Sequence, residues 1–319
     1  DSFVNSSPVV IDRLLSICNL NNSELGQNLK VFKGDLKDKG FIENIFSNAE
    51  KSGTPIDGVI HFAGLKAVNE SVLNPLKYWH ENIISSLNLF KVMRKYNCNL
   101  LVFSSSATVY GKESKSPIKE GSSLNPSNPY GNTKLTIEKI LNDIYFENPN
   151  IWKIACLRYF NPIGAHKSSL IGENPVGKPN NLFPLICNTA FEANKKLMIF
   201  GSDWDTIDGT CIRDYIHVSD VAEGHLRTLE YLNNHKAKIL KMNIGTGLGT
   251  TVLELIGTFS RVNNITVDYK FTSRRAGDLK EVVADNSLAS NLLDWMPKRS
   301  LEEMCLDGWN WKKNNINGF

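Results

Sequence analysis

Short apolar runs alternate with longer amphipathic segments along most of the chain. Helical spacing of apolar residues predicts a helix with a loop at 8–27 and helices at 41–50, 67–96 (interrupted at Pro75) and 128–147. Strand-like apolar runs lie at 29–34, 57–62, 100–103, 151–157, 196–201 and 242–247. Short buried strands that alternate with helices predict an α/β fold built on a doubly wound parallel sheet.

The carboxyl ends of two predicted strands carry residues that suit a bound cofactor and a reacting alcohol. Ligands of doubly wound sheets bind at these ends, and the small residues Ala63 and Gly64 would let a ligand approach the backbone closely. Small hydroxyl residues at 104–106 follow the strand predicted at 100–103. The two segments therefore predict a ligand site at this edge of the sheet.

Tyr130 and Lys134 lie near the start of the helix predicted at 128–147. Residues four apart share one helical face. A phenol has a pKa of about 10, and a nearby ammonium lowers it by favouring the phenolate. A tyrosine with such a lowered pKa can act as a general base near neutral pH. With the hydroxyl of Ser106 opposite this pair, the pattern predicts an alcohol-oxidising site.

Composition changes this picture little. The 319 residues suffice for one large domain or two smaller ones, with 41% hydrophobic and 22% charged residues. A net charge of +3 without a basic run does not indicate nucleic-acid binding, and no apolar segment has the length of a membrane span. The six cysteines lack metal-ligand spacing, which predicts no metal site and reduced thiols in a cytoplasmic protein.

The motifs together resemble a known family. A Tyr-x-x-x-Lys motif with an upstream Ser is the catalytic signature of the short-chain dehydrogenase/reductase superfamily. The fuller wording, Ser104 to Gly111 and then Pro129 to Lys134, is similar to its extended branch, which acts on nucleotide sugars, and most closely resembles the UDP-glucose 4-epimerases. The resemblance implies tightly held NAD and interconversion of UDP-galactose and UDP-glucose through a transient 4-keto sugar and bound NADH.

The resemblance also implies roles for the catalytic residues. Tyr130 would take the proton of the sugar 4-hydroxyl, and Ser106, with Thr108, would hydrogen-bond the same oxygen. Lys134 would bind the nicotinamide ribose and lower the pKa of Tyr130. The C4 hydride would pass to NAD+ and return to the other face after the keto sugar rotates about its diphosphate link.

Cofactor contacts carry over by the same resemblance. Asp1 would hold the adenosine ribose, Asp35 would contact adenine, and Lys66 would lie near the nicotinamide ribose. Asp35 is equally suited to cap the following helix, and both roles can hold. The residues implied to bind NAD are Asp1, Asn5, Ser6, Asp35, Leu36, Phe62, Ala63, Gly64, Lys66, Asn82, Ser104, Tyr130, Lys134 and Phe160.

The second half of the chain is implied to bind a uridine diphosphate. Arg213 and Arg275 would hold the diphosphate without a metal, Asp278 the ribose hydroxyls, and the helix start at 181–182 a phosphate. The strand at 196–201 would flank uracil. The implied substrate residues are Lys66, Ser106, Tyr130, Asn161, Asn181, Leu182, Ile199, Phe200, Arg213, Tyr215, Arg275, Asp278 and Val282.

Val282 bears on substrate choice. The family varies between a bulky Tyr and a small residue at this position, four after Asp278. A small side chain here should leave room for an N-acetyl group at C2. We therefore expect N-acetylated UDP-hexoses to be substrates as well.

The resemblance predicts the domain organisation. Residues 1–163 would form a Rossmann-type NAD-binding domain to which segments near 213–246 return, and 164–319 mainly a UDP-sugar-binding domain.

The family's glycine-rich turn is absent and Asp1 resembles the end of a second strand, so we expect about thirty residues of a first strand-helix-strand unit to be missing. Strand 29–34 would then lack its neighbours or pair abnormally with 57–62, and the chain would bind NAD poorly. Family members pair as homodimers through the helix at 67–96 and its neighbour.

Two other functions are compatible with parts of the pattern. A nucleotide-sugar 4,6-dehydratase or a UDP-glucuronate decarboxylase would use an acidic residue beside the active-site Thr or Ser, and the segment 106–109 contains none. A non-catalytic nucleotide-sugar-binding fragment would not need Ser106, Tyr130 and Lys134 together. The intact set favours an epimerase.

Overall fold

The computed structural model describes the chain except residues 20–28, 175, 176, 178, 180, 193, 194, 276, 317 and 319. Its helices are α1 (Val9–Ile17), α2 (Lys39–Lys51), α3 (Val68–Leu73), α4 (Pro75–Trp79), α5 (Ser85–Lys95), α6 (Pro129–Glu147), α7 (Leu182–Phe191), α8 (Val218–Asn234), α9 (Val252–Asn263), α10 (Ser287–Leu293) and α11 (Leu301–Asn314). Its strands are β1 (Val59–His61), β2 (Leu100–Ser106), β3 (Lys153–Tyr159), β4 (Asn161–Ile163), β5 (Leu197–Phe200), β6 (Ile212–Arg213), β7 (Tyr215–His217), β8 (Lys238–Ile244), β9 (Thr250–Thr251), β10 (Tyr269–Thr272) and β11 (Glu281–Val282). A π-helical turn, His80–Ile84, joins α4 to α5, and a 3₁₀ turn, Ala107–Val109, follows β2.

A four-stranded parallel sheet in the order β1-β2-β3-β8 forms the centre of the fold, so the predicted class is confirmed. Its strands are apolar on both faces because helices cover both. Leu101 and Phe103 pack on one face with α2, α5 and α6. Leu100 and Val102 pack on the other with α8 and α10.

A second hydrophobic cluster lies in the C-terminal half. It joins α7, α9 and α11 to β5 and β7, with Phe259, Ile186 and Cys305 fully buried. Thr251 and Ser300 start α9 and α11 with capping boxes, which satisfy backbone N–H groups that the helices cannot pair. Small sheets accompany this cluster: β5 with β10, β4 with β7, and β11-β6-β9. Between these segments β8 pairs with β3 and so lies in the central sheet.

The main predicted helices are confirmed, and one strand extends further than predicted. The helix predicted at 128–147 is α6, and the stretch at 67–96 is interrupted at Pro75, where α4 begins. The strand predicted to end at Phe103 continues to Ser106, because Ser104 to Ser106 pair with the last residues of β3. The three serines therefore belong to the sheet and are positioned by its ladder.

The strand predicted at 29–34 is wrong. Residues 30–35 have no regular secondary structure, although Gly34 N–H donates to the Asp1 carbonyl at 3.0 Å and the Asp1 ammonium donates to the Phe32 carbonyl at 3.0 Å. Among the described residues β1 pairs with β2 alone, and residues 30–34 pair with no strand. Of the two expected outcomes, the segment therefore lacks strand neighbours, and the abnormal pairing with 57–62 does not occur. An alternating apolar pattern does not make a strand unless neighbouring chain supplies ladder partners.

Asp35 is not a helix cap. Its carboxylate accepts from Lys37 N–H at 2.8 Å within a turn, and the N-cap of α2 is Asp38, whose carboxylate accepts from Phe41 N–H at 3.0 Å. The cap residue is thus three positions later than the suggested Asp35, and the helix begins at Lys39, two residues before the predicted start at 41. The neighbouring Gly34 bonds to Asp1, so Asp35 stays close to residue 1. The adenosine contact of Asp35 remains a prediction.

Candidate active site

Ser106 ends β2 at the carboxyl edge of the sheet and begins the 3₁₀ turn that follows. Its Oγ accepts from Thr108 N–H at 3.2 Å and from Thr108 Oγ1 at 3.0 Å. Because both bonds use the lone pairs of Ser106, its own proton remains available for donation. The Ser106 hydroxyl lies close enough to Tyr130 to act on the pKa of its phenol in the direction that favours the phenolate.

Helix α6 brings Tyr130 to this hydroxyl. Asn128 caps the helix by accepting from Gly131 N–H at 2.8 Å, and Pro129 occupies the first turn. A Cβ on Gly131 would lie 2.6 Å from the Thr108 carbonyl oxygen. Only a glycine therefore lets the first turn of α6 approach the turn after β2 closely enough for Tyr130 to contact Ser106.

Lys134 lies one turn further along α6. Its Nζ donates to the Ser104 carbonyl at 2.7 Å and lies 5.9 Å from the centre of the Tyr130 ring. Burial lowers the pKa of Lys134 to about 8. The predicted lowering of the Tyr130 pKa is not found here: burial raises it, with the Ser106 hydrogen bond acting in the opposite direction. The ammonium engages a carbonyl instead of the phenol.

The chain after β1 is open to solvent beside Lys134. Phe62 is 56% exposed, and Gly64 adopts φ +151°, where a Cβ would lie 3.2 Å from Asn82 Oδ1 and 3.9 Å from Lys134 Nζ. A side chain on Gly64 would thus fill the space beside Lys134, whereas the glycine leaves it open. Phe62, Ala63 and Gly64 are all exposed at this edge, as a nicotinamide site requires.

Asn82 positions this segment from inside. It lies in the π-helical turn and is 2% exposed. Its Oδ1 accepts from Leu65 N–H at 2.8 Å, and its Nδ2 donates to the Leu65 carbonyl at 3.2 Å and to Thr133 Oγ1 at 3.0 Å. Its side-chain amide therefore joins the turn at Gly64 to α6. Because these hydrogen bonds use both polar atoms of the amide, they limit the contact that Asn82 was predicted to make with the cofactor.

Three residues predicted to bind the adenosine, Asp1, Asn5 and Ser6, lie together in the first turn of the chain. The Asp1 carboxylate accepts from Phe3 N–H at 2.6 Å and from Ser6 Oγ at 3.2 Å. Asn5 is exposed in the same turn. Leu36 is different, since it packs partly buried against the cluster that contains α2 and α5.

Two arginines and an aspartate meet in the C-terminal half. Arg213 donates to the carbonyls of Ile212 and Leu279 at 2.8 and 2.9 Å and lies 3.9 Å from Asp278. Arg275 lies 3.6 Å from Asp278 on the other side, with its guanidinium 4.2 Å from the centre of the Phe200 ring. The two cations and the aromatic face could hold a diphosphate and a stacked base.

Two predicted substrate residues point into the hydrophobic core and not towards the arginines. Ile199 is 2% exposed and Tyr215 is 5% exposed, and both side chains pack in the C-terminal hydrophobic cluster. Side chains alternate along β5, so Met198 and Phe200 face outwards while Leu197 and Ile199 face the core. Met198 is therefore the residue of β5 that shares the outward face with Phe200.

Phe160 and Val282 lie beside the catalytic turn. Phe160 belongs to a small cluster with Val109 and Tyr110, and Val282 and Ala107 pack against the same cluster. Val282 is also the register partner of Arg213 in the small sheet. The side chain of Val282 is thus placed between the Ser106 turn and the arginine predicted to bind diphosphate.

Three more predicted substrate residues come from the two halves of the chain. Lys66 follows β1, and Asn181 and Leu182 lie at the start of α7. Asn181 is the N-cap residue of α7 but makes no side-chain cap hydrogen bond, and Leu182 packs against the C-terminal cluster. Lys66 pairs with Glu173, with Nζ 2.9 Å from Oε1. Asn161 opens β4 and is half-buried, its N–H donating to the Asp214 carbonyl at 3.0 Å.

A buried ion pair below the serines was not predicted from sequence. Glu138 on α6 accepts from Arg158 Nε at 3.0 Å, from Arg158 Nη2 at 2.6 Å and from Ser105 Oγ at 2.5 Å. Both charged side chains are at most 1% exposed. Tyr110 OH accepts a further bond from Arg158 at 3.0 Å. The only feature of the sequence that pointed to this ion pair is that Glu138 lies four residues after Lys134, on the same face of the helix.

Two more unpredicted groups support the site. The buried Asp214 carboxylate accepts from Thr246 N–H at 2.8 Å, Gly247 N–H at 2.9 Å and Ala284 N–H at 3.1 Å, so it joins three loops around β6. Tyr159 OH hydrogen-bonds His225 Nε2 at 2.5 Å and also Ser104. Both fix strands that carry predicted ligand residues.

Among the described residues, no helix combines the length and apolar composition needed to cross a membrane. The same residues contain no group of three or more His, Cys, Asp or Glu side chains arranged to hold a metal ion.

A parallel doubly wound sheet whose carboxyl edge presents Ser106 beside Tyr130, with Lys134 one turn away, defines the class of short-chain dehydrogenase/reductases. A family model described as GDP-mannose 4,6 dehydratase matches residues 3–307. The UDP-glucose 4-epimerase of Bacillus subtilis (strain 168) is 46% identical over 320 residues, which cover 100% of this chain and 90% of the relative. The chain therefore belongs to the family that this model describes and, within it, to the UDP-glucose 4-epimerases.

Solved structures agree with this assignment. The crystal structure of UDP-glucose 4-epimerase from Bifidobacterium longum in complex with NAD+ and UDP matches with a TM-score of 0.90 at 41% identity, covering 100% of this chain and 91% of that chain. The UDP-Glc/GlcNAc 4-epimerase from Campylobacter jejuni matches with a TM-score of 0.81 at 35% identity, covering 98% and 90%. The fold and the predicted family are thus confirmed over the whole chain.

Proposed function

We propose that this chain acts as an NAD-dependent UDP-glucose 4-epimerase that interconverts UDP-galactose and UDP-glucose. The observation that carries the proposal is the placement of Ser106, at the end of β2, and Lys134 around the buried Tyr130, beside the exposed Gly64. The relative from B. subtilis carries the name UDP-glucose 4-epimerase, and the solved relative from B. longum contains NAD+ and UDP.

The proposed chemistry uses Tyr130 as the base. Its phenolate takes the proton of the sugar 4-hydroxyl. As substrate binds, the Ser106 proton, which its bonds with Thr108 do not use, is donated to the same sugar oxygen. Bound NAD supplies an acceptor for the C4 hydride and later returns it to the ring. Lys134 contributes a positive charge in a buried site, which favours the phenolate once the ammonium turns towards the phenol.

Anchoring at the diphosphate would let the sugar change faces. Arg213 and Arg275 flank Asp278, and Arg275 covers the Phe200 ring. Guanidinium groups bind phosphate oxygens in pairs, and the open N-terminus of α7 suits a further phosphate oxygen. With the uridine diphosphate held there, the keto sugar is free to rotate about its link before the hydride returns.

The experiment that tests this function is an assay with UDP-galactose. The protein, supplied with NAD+, should form UDP-glucose until both sugars are at equilibrium, with no added reductant and no net NADH. Loss of water or of carbon dioxide from a nucleotide sugar would instead support a dehydratase or decarboxylase. Against those reactions, the nearest carboxylate below the serines, Glu138, is already paired with Arg158.

We also propose that N-acetylated UDP-hexoses are substrates, because Val282, which lies beside the catalytic turn, is a small side chain. The solved relative from C. jejuni is named a UDP-Glc/GlcNAc epimerase. Val282→Tyr should lower the ratio of UDP-N-acetylglucosamine to UDP-glucose turnover by about five-fold or more, because overfilling a tight pocket costs about 1–3 kcal/mol. Val282→Thr, which keeps the size, is the control. An unchanged ratio in the Tyr variant would exclude this role.

A homodimer is proposed from the exposed apolar residues on α3 to α6. Leu73 on α3 is 79% exposed, Leu76 on the adjacent α4 82% and Phe146 on α6 71%, and burial of these side chains against a second copy would stabilise a dimer. Leu76→Glu should convert a species of twice 35.7 kDa to one of 35.7 kDa in analytical ultracentrifugation. Ile207→Glu is the matched control, since Ile207 is 96% exposed in a distant loop. A wild-type monomer would exclude the dimer.

We place the enzyme in the cytoplasm because its six cysteines, of which Cys98, Cys156, Cys187 and Cys305 are buried, are all free thiols. Cell fractionation with the protein in the secreted fraction would contradict this assignment.

A further inference from the structure

Glu173 brings together two donors that are both predicted to bind ligand. Its Oε1 accepts from Lys66 Nζ at 2.9 Å and lies 3.4 Å from Asn181 Nδ2. Lys66 follows β1 in the N-terminal half, and Asn181 starts α7 in the C-terminal half. One carboxylate oxygen therefore occupies the point at which a cation and an amide from opposite sides of the cleft converge.

The backbone of Glu173 is fixed while its side chain is accessible. Trp311 Nε1 on α11 donates to the Glu173 carbonyl at 3.2 Å. The side chain is 29% exposed, and that of Lys66 is 58% exposed. An ion pair with this exposure contributes little to stability, so it can open at small cost.

The start of α7 is left without a side-chain cap. Asn181 occupies the N-cap position, but its side chain is directed to Glu173 instead of to the first N–H groups of the helix. The first N–H groups of a helix have no partner within the helix, and they carry partial positive charge. Lys66, Asn181 and this helix start together form a surface that favours an anion, and the anion present is Glu173.

We propose that the Glu173 carboxylate is an internal substitute for a substrate phosphate, holding Lys66 and Asn181 in place until the diphosphate displaces it. The inference rests on the proposed function, because it takes the ligand to be a nucleoside diphosphate. The displaced carboxylate stays close to the diphosphate, so its charge weakens binding of the anionic ligand and speeds its release.

The test measures UDP binding to the NAD-loaded enzyme by isothermal titration calorimetry. Glu173→Gln keeps the size of the side chain and removes its charge. The Kd for UDP should fall about five-fold, the size of one partly solvated charge interaction. The difference should shrink at high salt because salt screens exposed charges. Glu173→Ala should shift the Kd in the same direction.

Two controls separate charge competition from a structural effect. Glu192→Gln removes an equal charge at the far end of α7, where Glu192 pairs with Lys195 at 2.7 Å, and should leave the Kd for UDP unchanged. Uridine lacks the diphosphate, so its affinity, measured by competition with UDP, should be the same in wild type and Glu173→Gln. A structural role for Glu173 would change both ligands together.

The outcomes that overturn the proposal are distinct from those that overturn the function. A Kd for UDP that is unchanged or higher in both Glu173 variants, or an equal change for uridine, overturns the role of Glu173 alone. If wild type binds neither UDP nor uridine, the proposed function fails and this inference fails with it.

Discussion

Replacing Tyr130 by Phe should lower kcat for UDP-galactose epimerisation by about three orders of magnitude, within the range that a positioned general base contributes. The phenol is the group that the Ser106 hydroxyl contacts, and it is 8% exposed, so water cannot readily replace it. The ring itself remains in the variant, so packing on the turn after β2 is preserved. The measurement is the rate of UDP-glucose formation at saturating substrate.

The matched control for this prediction lies on the same helix. Tyr145→Phe removes a phenol at the far end of α6, where the ring contacts Phe146 and not the site. It should keep the wild-type kcat, and UDP should bind both variants with the affinity of wild type. A Tyr130→Phe enzyme that retains more than about a tenth of the wild-type rate would show that another group takes the proton.

Glu138→Ala should lower the free energy of unfolding by about 3–5 kcal/mol, because it leaves the Arg158 guanidinium buried without its counter-charge. Arg158 is fully buried, and its Nε and Nη2 both donate to Glu138. Only the bonds of Nη1 to Tyr110 OH and to the Glu120 carbonyl would remain. The measurement is urea unfolding at pH 7 with NAD+ present in equal excess for wild type and variant.

The control for this loss of stability is an exposed pair that also involves α6. Glu147 pairs with Arg94 at 2.6 Å, and both side chains are at least half exposed. Glu147→Ala should lower the free energy of unfolding by less than about 1 kcal/mol. Equal losses in the two variants would mean that the buried pair contributes no more than a surface pair.

The sequence allowed the sheet and the reacting residues to be predicted because both depend on local patterns. Tyr130 and Lys134 share a helical face by their spacing alone, and Asn128 with Pro129 starts that helix where the motif requires it. Ser106 ends a strand whose apolar residues are buried by helices on both faces of the sheet. Each of these signals lies within a few residues of the group that it positions.

Properties set by distant partners were not predictable in the same way. The Tyr130 pKa depends on the burial that α6 acquires against β2, and the Arg158–Glu138 pair joins a strand to a helix. The strand predicted at 29–34 failed because a ladder needs partners that a single segment does not reveal. Ile199 was assigned to the uracil although the alternation along β5 turns it to the core.

The return of β8 to the central sheet has a consequence for how the chain acquires its structure. β3 pairs Lys153 with Lys238 and Tyr159 with Ile244, although the segments that form the C-terminal cluster lie between the two strands. During synthesis one edge of β3 therefore stays unpaired, and exposed to association with other chains, until residue 244 has left the ribosome. Such distant pairing slows folding, because the entropy of closing the loop is lost before the stabilising contacts form. The two halves of this enzyme therefore complete their folding together.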